Sequence, residues 1–374
     1  MKIAVLGVAQ TKFGELWDQS LPDLLVRSQL SAIRDAGIAV SEIDEIFTGT
    51  MCAGLFLNQS NIGVIAAEVL GLQVPSTVVE GACASGGLAV RAAIMAIESG
   101  QADIVLVSGV EKMTDVGSQQ VADGLVSAAS HEFEQIHGIT FAALNALIAR
   151  LYMHTYGLSR GQLAQVSVMN HDHGFTNSLG HFQKKITVDD VINAPMIADP
   201  LTLLDCSPIS DGAASLVLCR EDVARRLGND HVFIIGSGQA TDTMMLSERE
   251  DLLTWRATKL AAKKAYAMAG IDTDDVDLIE LHDAFSITQL LALEDLGFYK
   301  KGFGIGSVSI DNDLIVNRSG GLKSRGHPVG ATGVAQVVAV VQQLREGIGS
   351  VGLTHNVGGC GSTAVVHVLN REKL

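Results

Sequence analysis

Gly326-His327-Pro328-Val329-Gly330-Ala331-Thr332-Gly333 opens an apolar helical stretch, Val334 to Leu344, and it has a counterpart far upstream. Placing Gly330-Ala331-Thr332-Gly333 under Cys83-Ala84-Ser85-Gly86 keeps register through the following helix, down to Gly347 under Gly100. A second pair of segments matches in the same order. Ala36-Gly37-Ile38 with Ile43-Asp44-Glu45-Ile46 recurs as Ala269-Gly270-Ile271 with Val276-Asp277-Leu278-Ile279. Two ordered matches predict an internal duplication, with about fourteen more residues between the matches in the second copy. Pseudo-twofold halves would bring the two Gly-rich turns together, so that Cys83 and His327 face each other as a nucleophile beside a base.

The pattern alternates strand and helix on both sides of these turns. In the first copy, strand Ile3–Val8, helix Leu21–Ala36, strand Glu45–Thr50, helix Asn61–Leu70, strand Ser76–Glu80, helix Gly86–Ser99 and strand Ile104–Gly109 are expected. Strand Ala213–Cys219 closes that copy. The second repeats it with strand Val232–Ala240, helix Ala257–Ala269, strand Leu278–Asp283, helix Ile287–Asp295, helix Gly333–Leu344 and strands Ser350–His355 and Ser362–Val368. Short apolar runs separated by helices predict an α/β fold with mostly parallel sheets. Val116 to Pro208 has no counterpart in the second copy, contains a helix at Phe141–Tyr156, and reads as an insertion that carries specificity or covers a site. The divide is placed at 1–228 and 229–374, with the insertion at about 116–208.

At 374 residues and 47% hydrophobic, the chain has ample material for buried cores. Its apolar runs are interrupted before membrane-spanning length, and Met1-Lys2-Ile3-Ala4-Val5-Leu6-Gly7 reads as an opening strand, too short for a signal peptide. The ending Arg371-Glu372-Lys373-Leu374 lacks the small residue of a peroxisomal address. Five cysteines without paired spacing predict reduced thiols and a cytoplasmic protein. A net charge of −15 argues against nucleic acid and anionic membranes as partners. Local cations still suffice for a phosphorylated substrate. The candidates are Arg256, Lys259, Lys263 and Lys264 around Trp255, or Arg318, Lys323 and Arg325, each with a solvated surface charge as the competing reading.

Cys83 lies between a strand-like run and an Ala-rich helix. There the helix N-terminus favours thiolate, and small neighbours let backbone amides approach an acyl group. His282-Asp283-Ala284-Phe285 follows a strand, where α/β sheets bind ligands, and His282 is placed to donate an N–H to a developing oxyanion. Asn356-Val357-Gly358-Gly359-Cys360-Gly361 offers an amide and a second sulfur, Cys360, with a buried inert thiol as the alternative. His171, His173 and His181 are not accompanied by a further ligand set, so no metal site is expected. Gly236-Ser237-Gly238 suggests a dinucleotide turn, but Gln239-Ala240-Thr241 breaks the pattern. Cys206 and Cys219 read as structural.

Cys-x-Ser-Gly at 83, His-Asp-Ala-Phe at 282, Gly-His-Pro-x-Gly-Ala-Thr-Gly at 326 and the last Gly-rich loop together resemble the thiolase superfamily, over essentially the whole chain. The nearest type resembles the archaeal and bacterial thiolases related to the sterol-carrier-protein-linked group. The resemblance implies a five-layered α-β-α-β-α fold of two duplicated halves, with a loop domain inserted in the first. It implies an acetyl-CoA C-acetyltransferase in which Cys83 is acylated, His327 activates it, and His282 with Asn356 holds the thioester oxygen. Cys360 is the expected α-proton base. Many thiolases have Asn-Glu-Ala-Phe at the 282 motif and Cys-x-Gly where this chain has Asn356, which leaves the second base open. Coenzyme A thioesters are the expected substrates with no cofactor, held by Arg256, Lys259, Lys263, Gly326 and Ser319. The resemblance also implies a homodimer or homotetramer, with strand Ile104–Gly109 at an exposed dimer edge. It further implies association with hydroxymethylglutaryl-CoA synthase and a small zinc-ribbon/OB-fold protein, at the head of the mevalonate pathway. The alternatives are a thiolase for longer 3-ketoacyl chains, a ketoacyl-synthase-like decarboxylating condensation, and a non-catalytic scaffold.

Overall fold

The computed structural model describes residues 2–228, 231–308 and 314–371. The proposed divide at 228/229 borders residues outside this set, and the terminal Glu372-Lys373-Leu374 lies outside it. In the first half the order is β1 (Ile3–Gln10), α1 (Leu21–Ala36), β2 (Glu45–Gly49), α2 (Ala53–Phe56), α3 (Ile62–Glu68), β3 (Ser76–Val79), α4 (Ser85–Glu98) and β4 (Ile104–Glu111). An inserted segment follows, with α5 (Ser118–Leu125), α6 (Phe141–Tyr156), α7 (Arg160–Gly174), α8 (Val188–Asn193) and a small β5 (Met196–Ala198)/β6 (Leu201–Thr202) pair. The chain returns through β7 (Gly212–Arg220) and α9 (Glu221–Leu227). The second half has β8 (Val232–Thr241), α10 (Arg256–Ala269), β9 (Leu278–Glu280), α11 (Ser286–Asp295), β10 (Ile315–Val316), α12 (Gly321–Arg325), α13 (Val329–Arg345), β11 (Val351–Gly358) and β12 (Thr363–Arg371).

The duplication is visible in the strand order. The first half runs β3-β2-β4-β7-β1 and the second β10-β9-β11-β12-β8, with matching directions at every step. A short β1–β8 pairing, Ile3–Val5 against Val232–Ile234, joins them into one ten-stranded sheet. The expectation of mostly parallel pairing is corrected. Parallel pairs occupy the two flanks, whereas β4-β7-β1-β8-β12-β11 is antiparallel throughout: β12 returns directly from β11, and β7 re-enters beside β4 in the opposite direction after the inserted segment. The Ile104–Gly109 edge is also corrected. β4 lies between β7 and β2, and the sheet edges are β3 and β10.

The repeated sequence segments have equivalent structural roles. Gly37 and Gly270 end α1 and α10 in the left-handed conformation, at φ 69° and 71°. Asp44 Oδ2 accepts the amides of Asp103 and Ile104 at the start of β4, and Asp277 Oδ2 accepts those of Ser350 and Val351 at the start of β11. Helix α1 begins on a capping box in which Ser20 and Asp23 exchange side-chain-to-backbone bonds.

Along β1, Ile3 and Val5 face one core cluster and Ala4 and Leu6 another, as a period of two requires for a strand covered on both faces. The middle core surrounds α4 and α13, which pack on each other between the two sheet halves; the outer cores lie under α1 and α10. This is the five-layered α-β-α-β-α arrangement. Gly236-Ser237-Gly238 sits inside β8, where α10 approaches so closely that a Cβ on Gly238 would lie 1.9 Å from Ala261 O. It is a packing site, not a turn. Among the described residues no helix is long and apolar enough to cross a membrane.

Candidate active site

The two Gly-rich turns meet at the centre of the molecule. A Cβ on Gly86 would lie 2.6 Å from Gly330 O, and one on Gly333 would lie 2.1 Å from Gly87 N, so glycine is what lets α4 and α13 begin side by side. Cys83 occupies a single 3-10 turn, Ala82–Ala84, just ahead of α4. Ala82 holds a positive φ of 54°, a strained conformation that turns the next side chain out of the strand direction. Cys83 Sγ and ring nitrogens of His282 and His327 all lie within 4.8 Å of one another. The His282 and His327 rings meet edge to face, 5.0 Å between centroids.

The hydrogen bonds assign the tautomers. Thr332 Oγ1 gives its hydrogen to Pro328 O at 2.9 Å, so at 2.7 Å it accepts from His327 Nδ1–H, leaving His327 Nε2 with a lone pair. Asn356 Oδ1 accepts from Gly87 N–H at 3.2 Å, which fixes its amide orientation. Asn356 Nδ2 then donates to Cys83 O at 3.0 Å and to His282 Nδ1 at 3.2 Å. His282 therefore carries its hydrogen on Nε2. One histidine offers a lone pair and the other an N–H.

Burial, followed by the His282 and Arg325 charges, holds His327 well below its ordinary range, and burial with Arg325 brings His282 down to about 3. Both rings are neutral near pH 7. Burial and the Glu111 charge push the Cys83 thiol up to about 12, against its own backbone hydrogen bond. The helix start thus does not supply a resting thiolate: desolvation dominates, and the proton has to leave during attack.

Above these groups lies a cavity of about 590 Å³. Cys83, His282 and His327 line it, and much of its wall comes from the inserted segment, including Val121, Leu125, Phe141, Ile197 and Leu203. The insertion covers a site, as its lack of a counterpart suggested. Cys206, read as structural, is also part of this wall. The remaining candidates sit elsewhere. Cys360 is buried in the outer core of the second half, outside the Cys83 cluster, and Gly359 and Gly361 beside it are both left-handed, at φ 60° and 88°. Arg256, Lys259 and Lys263 lie exposed on α10 and line no part of the cavity. Trp255 is buried against Gly361 and forms part of the cavity wall, not of an exposed mouth. Ser319 is tied to Glu280 through both its amide and its hydroxyl, and Gly326 turns at φ 104° against Ser210. Lys323 and Arg325 are buried, so they form no charged mouth. Among the described residues, the cavity lining holds no lysine or arginine. The three loop-domain histidines bond separately, His171 to Lys184 O, His173 to Asn317 O and His181 to Ser210.

The family model for the thiolase N-terminal domain matches residues 3–222, and that for the thiolase C-terminal domain-like region matches residues 238–371. The chain belongs to the thiolase family. It is 49% identical to the acetyl-CoA acetyltransferase of Methanothermobacter thermautotrophicus, with 99% of each chain covered, and 42% identical to that of Methanocaldococcus jannaschii over the same share. Among solved structures it resembles the Ltp2–ChsH2(DUF35) aldolase, with a TM-score of 0.85 and 27% identity over 100% of this chain and 99% of the other.

Three supporting residues of this thiolase have roles that the sequence reading did not assign. Thr332 sets the His327 tautomer one helical turn along α13. Asp283 accepts Leu322 N–H and Asn170 Nδ2, binding the loop that leads to His327 to the inserted segment. Glu111 ends β4 beneath the cysteine. An acid at the end of a fully buried, mostly apolar strand was the available signal for Glu111.

Proposed function

We propose that this thiolase catalyses acetyl-CoA C-acetyl transfer, the reversible Claisen condensation of two acetyl-CoA through an acetyl-cysteine. The observation that carries the reading is the Cys83, His327 and His282 cluster, within 4.8 Å, at the cavity floor. It is supported by the 49% identity to an acetyl-CoA acetyltransferase. His327 Nε2 takes the Sγ proton as sulfur attacks the thioester carbonyl. The C–S bond to coenzyme A breaks, and the same proton leaves with the departing thiolate. A second acetyl-CoA then loses an α-proton to His327 Nε2, now neutral again, while His282 Nε2–H holds the enolate oxygen. The new carbanion attacks acetyl-Cys83, the C–C bond forms, and the sulfur leaves and recovers the proton.

In this scheme Asn356 has both amide hydrogens engaged and acts by orienting His282, and Cys360 has no part. His327 is the base in both half-reactions. The substrates are coenzyme A thioesters alone, without a further cofactor, and the largely apolar cavity suits a pantetheine arm. A cytoplasmic homodimer or homotetramer completes the reading, supported by the open edge of β3, where pairing with a second copy would cover the backbone. A small partner protein feeding acetoacetyl-CoA onward to hydroxymethylglutaryl-CoA synthase is supported by the DUF35 component named in the related aldolase. The test mixes the protein with acetyl-CoA, malonyl-CoA, or acetoacetyl-CoA plus coenzyme A, followed by intact mass and product analysis. An acetyl adduct on Cys83 with thiolysis of acetoacetyl-CoA is expected; condensation that requires malonyl-CoA would refute it.

A further inference from the structure

Glu111 is fully buried, and its two carboxylate oxygens collect four hydrogens. Oε1 accepts from Thr50 Oγ1 and Cys52 N, both at 3.0 Å; Oε2 accepts from Met51 N at 2.9 Å and Gly330 N at 3.0 Å. Among the described residues no cation pairs with it. Thr50 to Cys52 leads out of β2 in the first half, whereas Gly330 lies in the first turn of α13 in the second, between His327 and Thr332. A Cβ on Gly330 would lie 2.6 Å from Val110 O and 2.7 Å from Gly49 O, so this turn is pressed directly onto the ends of β4 and β2. An acceptor placed there satisfies an orphan amide and meets the positive end of the helix.

We propose that Glu111 is a positioning residue for acetyl transfer: its carboxylate fastens the first turn of α13 to the first half and thereby sets His327 Nε2 against Cys83 Sγ. This rests on His327 being the base, as argued above. The two catalytic groups come from different halves, so their separation depends on what ties the halves together at this point. Gly330 N–H to Glu111 is a side-chain tie across that seam, and Asn356 to Cys83 O is a second, on the far side of the cysteine.

A pH dependence follows. Burial lifts Glu111 to about 7, although four donors pull the other way. The groups facing it are the Cys52 and Cys83 thiols, both pushed up, with Glu80 further along; the nearby Lys112 is engaged with Asp211. His282 and His327 are already neutral in this range. Among these groups, the charge that changes near pH 7 is that of Glu111. Once protonated, it places a hydrogen among four donors, one of which has to turn away, and the α13 turn loosens. The acid limb of activity belongs to this carboxyl, not to a histidine.

The test measures kcat and KM for thiolysis from pH 5.5 to 9 in wild type, Glu111→Gln and Thr50→Val, with thermal midpoints alongside. Wild-type kcat is expected to fall through a single-proton limb near pH 7. In Glu111→Gln, kcat drops roughly 10–100-fold at pH 8 with KM nearly unchanged, the scale expected for ångström misplacement, and the limb vanishes. Thr50→Val removes one donor to the carboxylate and moves the limb to higher pH, which keeps the proposal open to refutation should Glu111→Gln fail to fold. A folded Glu111→Gln with wild-type kcat and an intact limb, or an unmoved limb in Thr50→Val, overturns it. Failure of the His327 reading is separate: it would appear as unimpaired Cys83 alkylation in His327→Ala.

Discussion

Replacing His327 with alanine isolates the step at which the cysteine loses its proton. With the Cys83 thiol at about 12, pH 7.5 lies about 4.5 units below it, so the thiolate fraction at rest is on the order of 10⁻⁴ to 10⁻⁵. That is too little for a site that depends on free thiolate, and His327 Nε2 is the lone pair placed to accept the proton as attack proceeds. Without it, acylation by acetyl-CoA should slow by roughly 10²–10⁴-fold. The form of the pH profile is more informative than the size of the loss. Alkylation of Cys83 by iodoacetamide in His327→Ala should rise about tenfold per pH unit from 7 to 9.5, because only hydroxide remains to remove the proton. The wild-type protein should be far less steep. Intact mass against time at each pH reads this directly, and circular dichroism checks the fold. A fast, pH-independent reaction in the variant would refute the reasoning, since Cys83 would then be ionised without its neighbour.

His282→Ala removes one oxyanion donor and should lower turnover about 10²–10³-fold, with Cys83 alkylation nearly unchanged; equal losses in both would place His282 in thiol activation instead. Asn356→Asp puts an acceptor opposite His282 Nδ1, draws the ring hydrogen there and strips it from Nε2, so turnover should fall as far as in His282→Ala while KM holds. Wild-type turnover would show that the tautomer is set elsewhere. Cys360→Ala should keep turnover within about twofold and lower stability by about 1 kcal/mol, as expected for a buried core substitution; a 100-fold loss of turnover would restore it as the second base. His282, His355 and His367, at about 3, 3 and 4, and His327, well below 6.5, all take up protons on unfolding. Their contribution to stability is complete above about pH 6.5 and is lost as pH falls toward 4, whereas Glu111 and Asp295, raised to about 7 and 6, act in the opposite sense. The histidines outnumber them, so the thermal midpoint should fall between pH 6.5 and 4.5; a rise across that interval would contradict the placement of these rings.

The sequence by itself determined the halving, the pairing of the Gly-rich turns, and the meeting of Cys83 with His327. These follow from one-dimensional register. Two helices that begin with the same small residues in the same frame approach equally closely, and the residue before each turn is carried to the shared seam. His282 was legible for a related reason, as a polar group at the end of an apolar strand. What the tertiary structure alone decided was direction. Asn356 lies within β11, where alternation sends it toward Gly87 and Cys83 and sends His355 toward Thr258. Two left-handed glycines then rotate Cys360 into the outer core, and the sign of such a turn is not written in a Gly-rich string. The seating of β7 between β1 and β4, and of β12 between β8 and β11, set the antiparallel centre and left β3 at the edge. The ionisation of Cys83 was decided the same way. A helix start favours thiolate by proximity alone, but the number of layers covering the sulfur, and a buried carboxylate from β4 beneath it, reverse that preference.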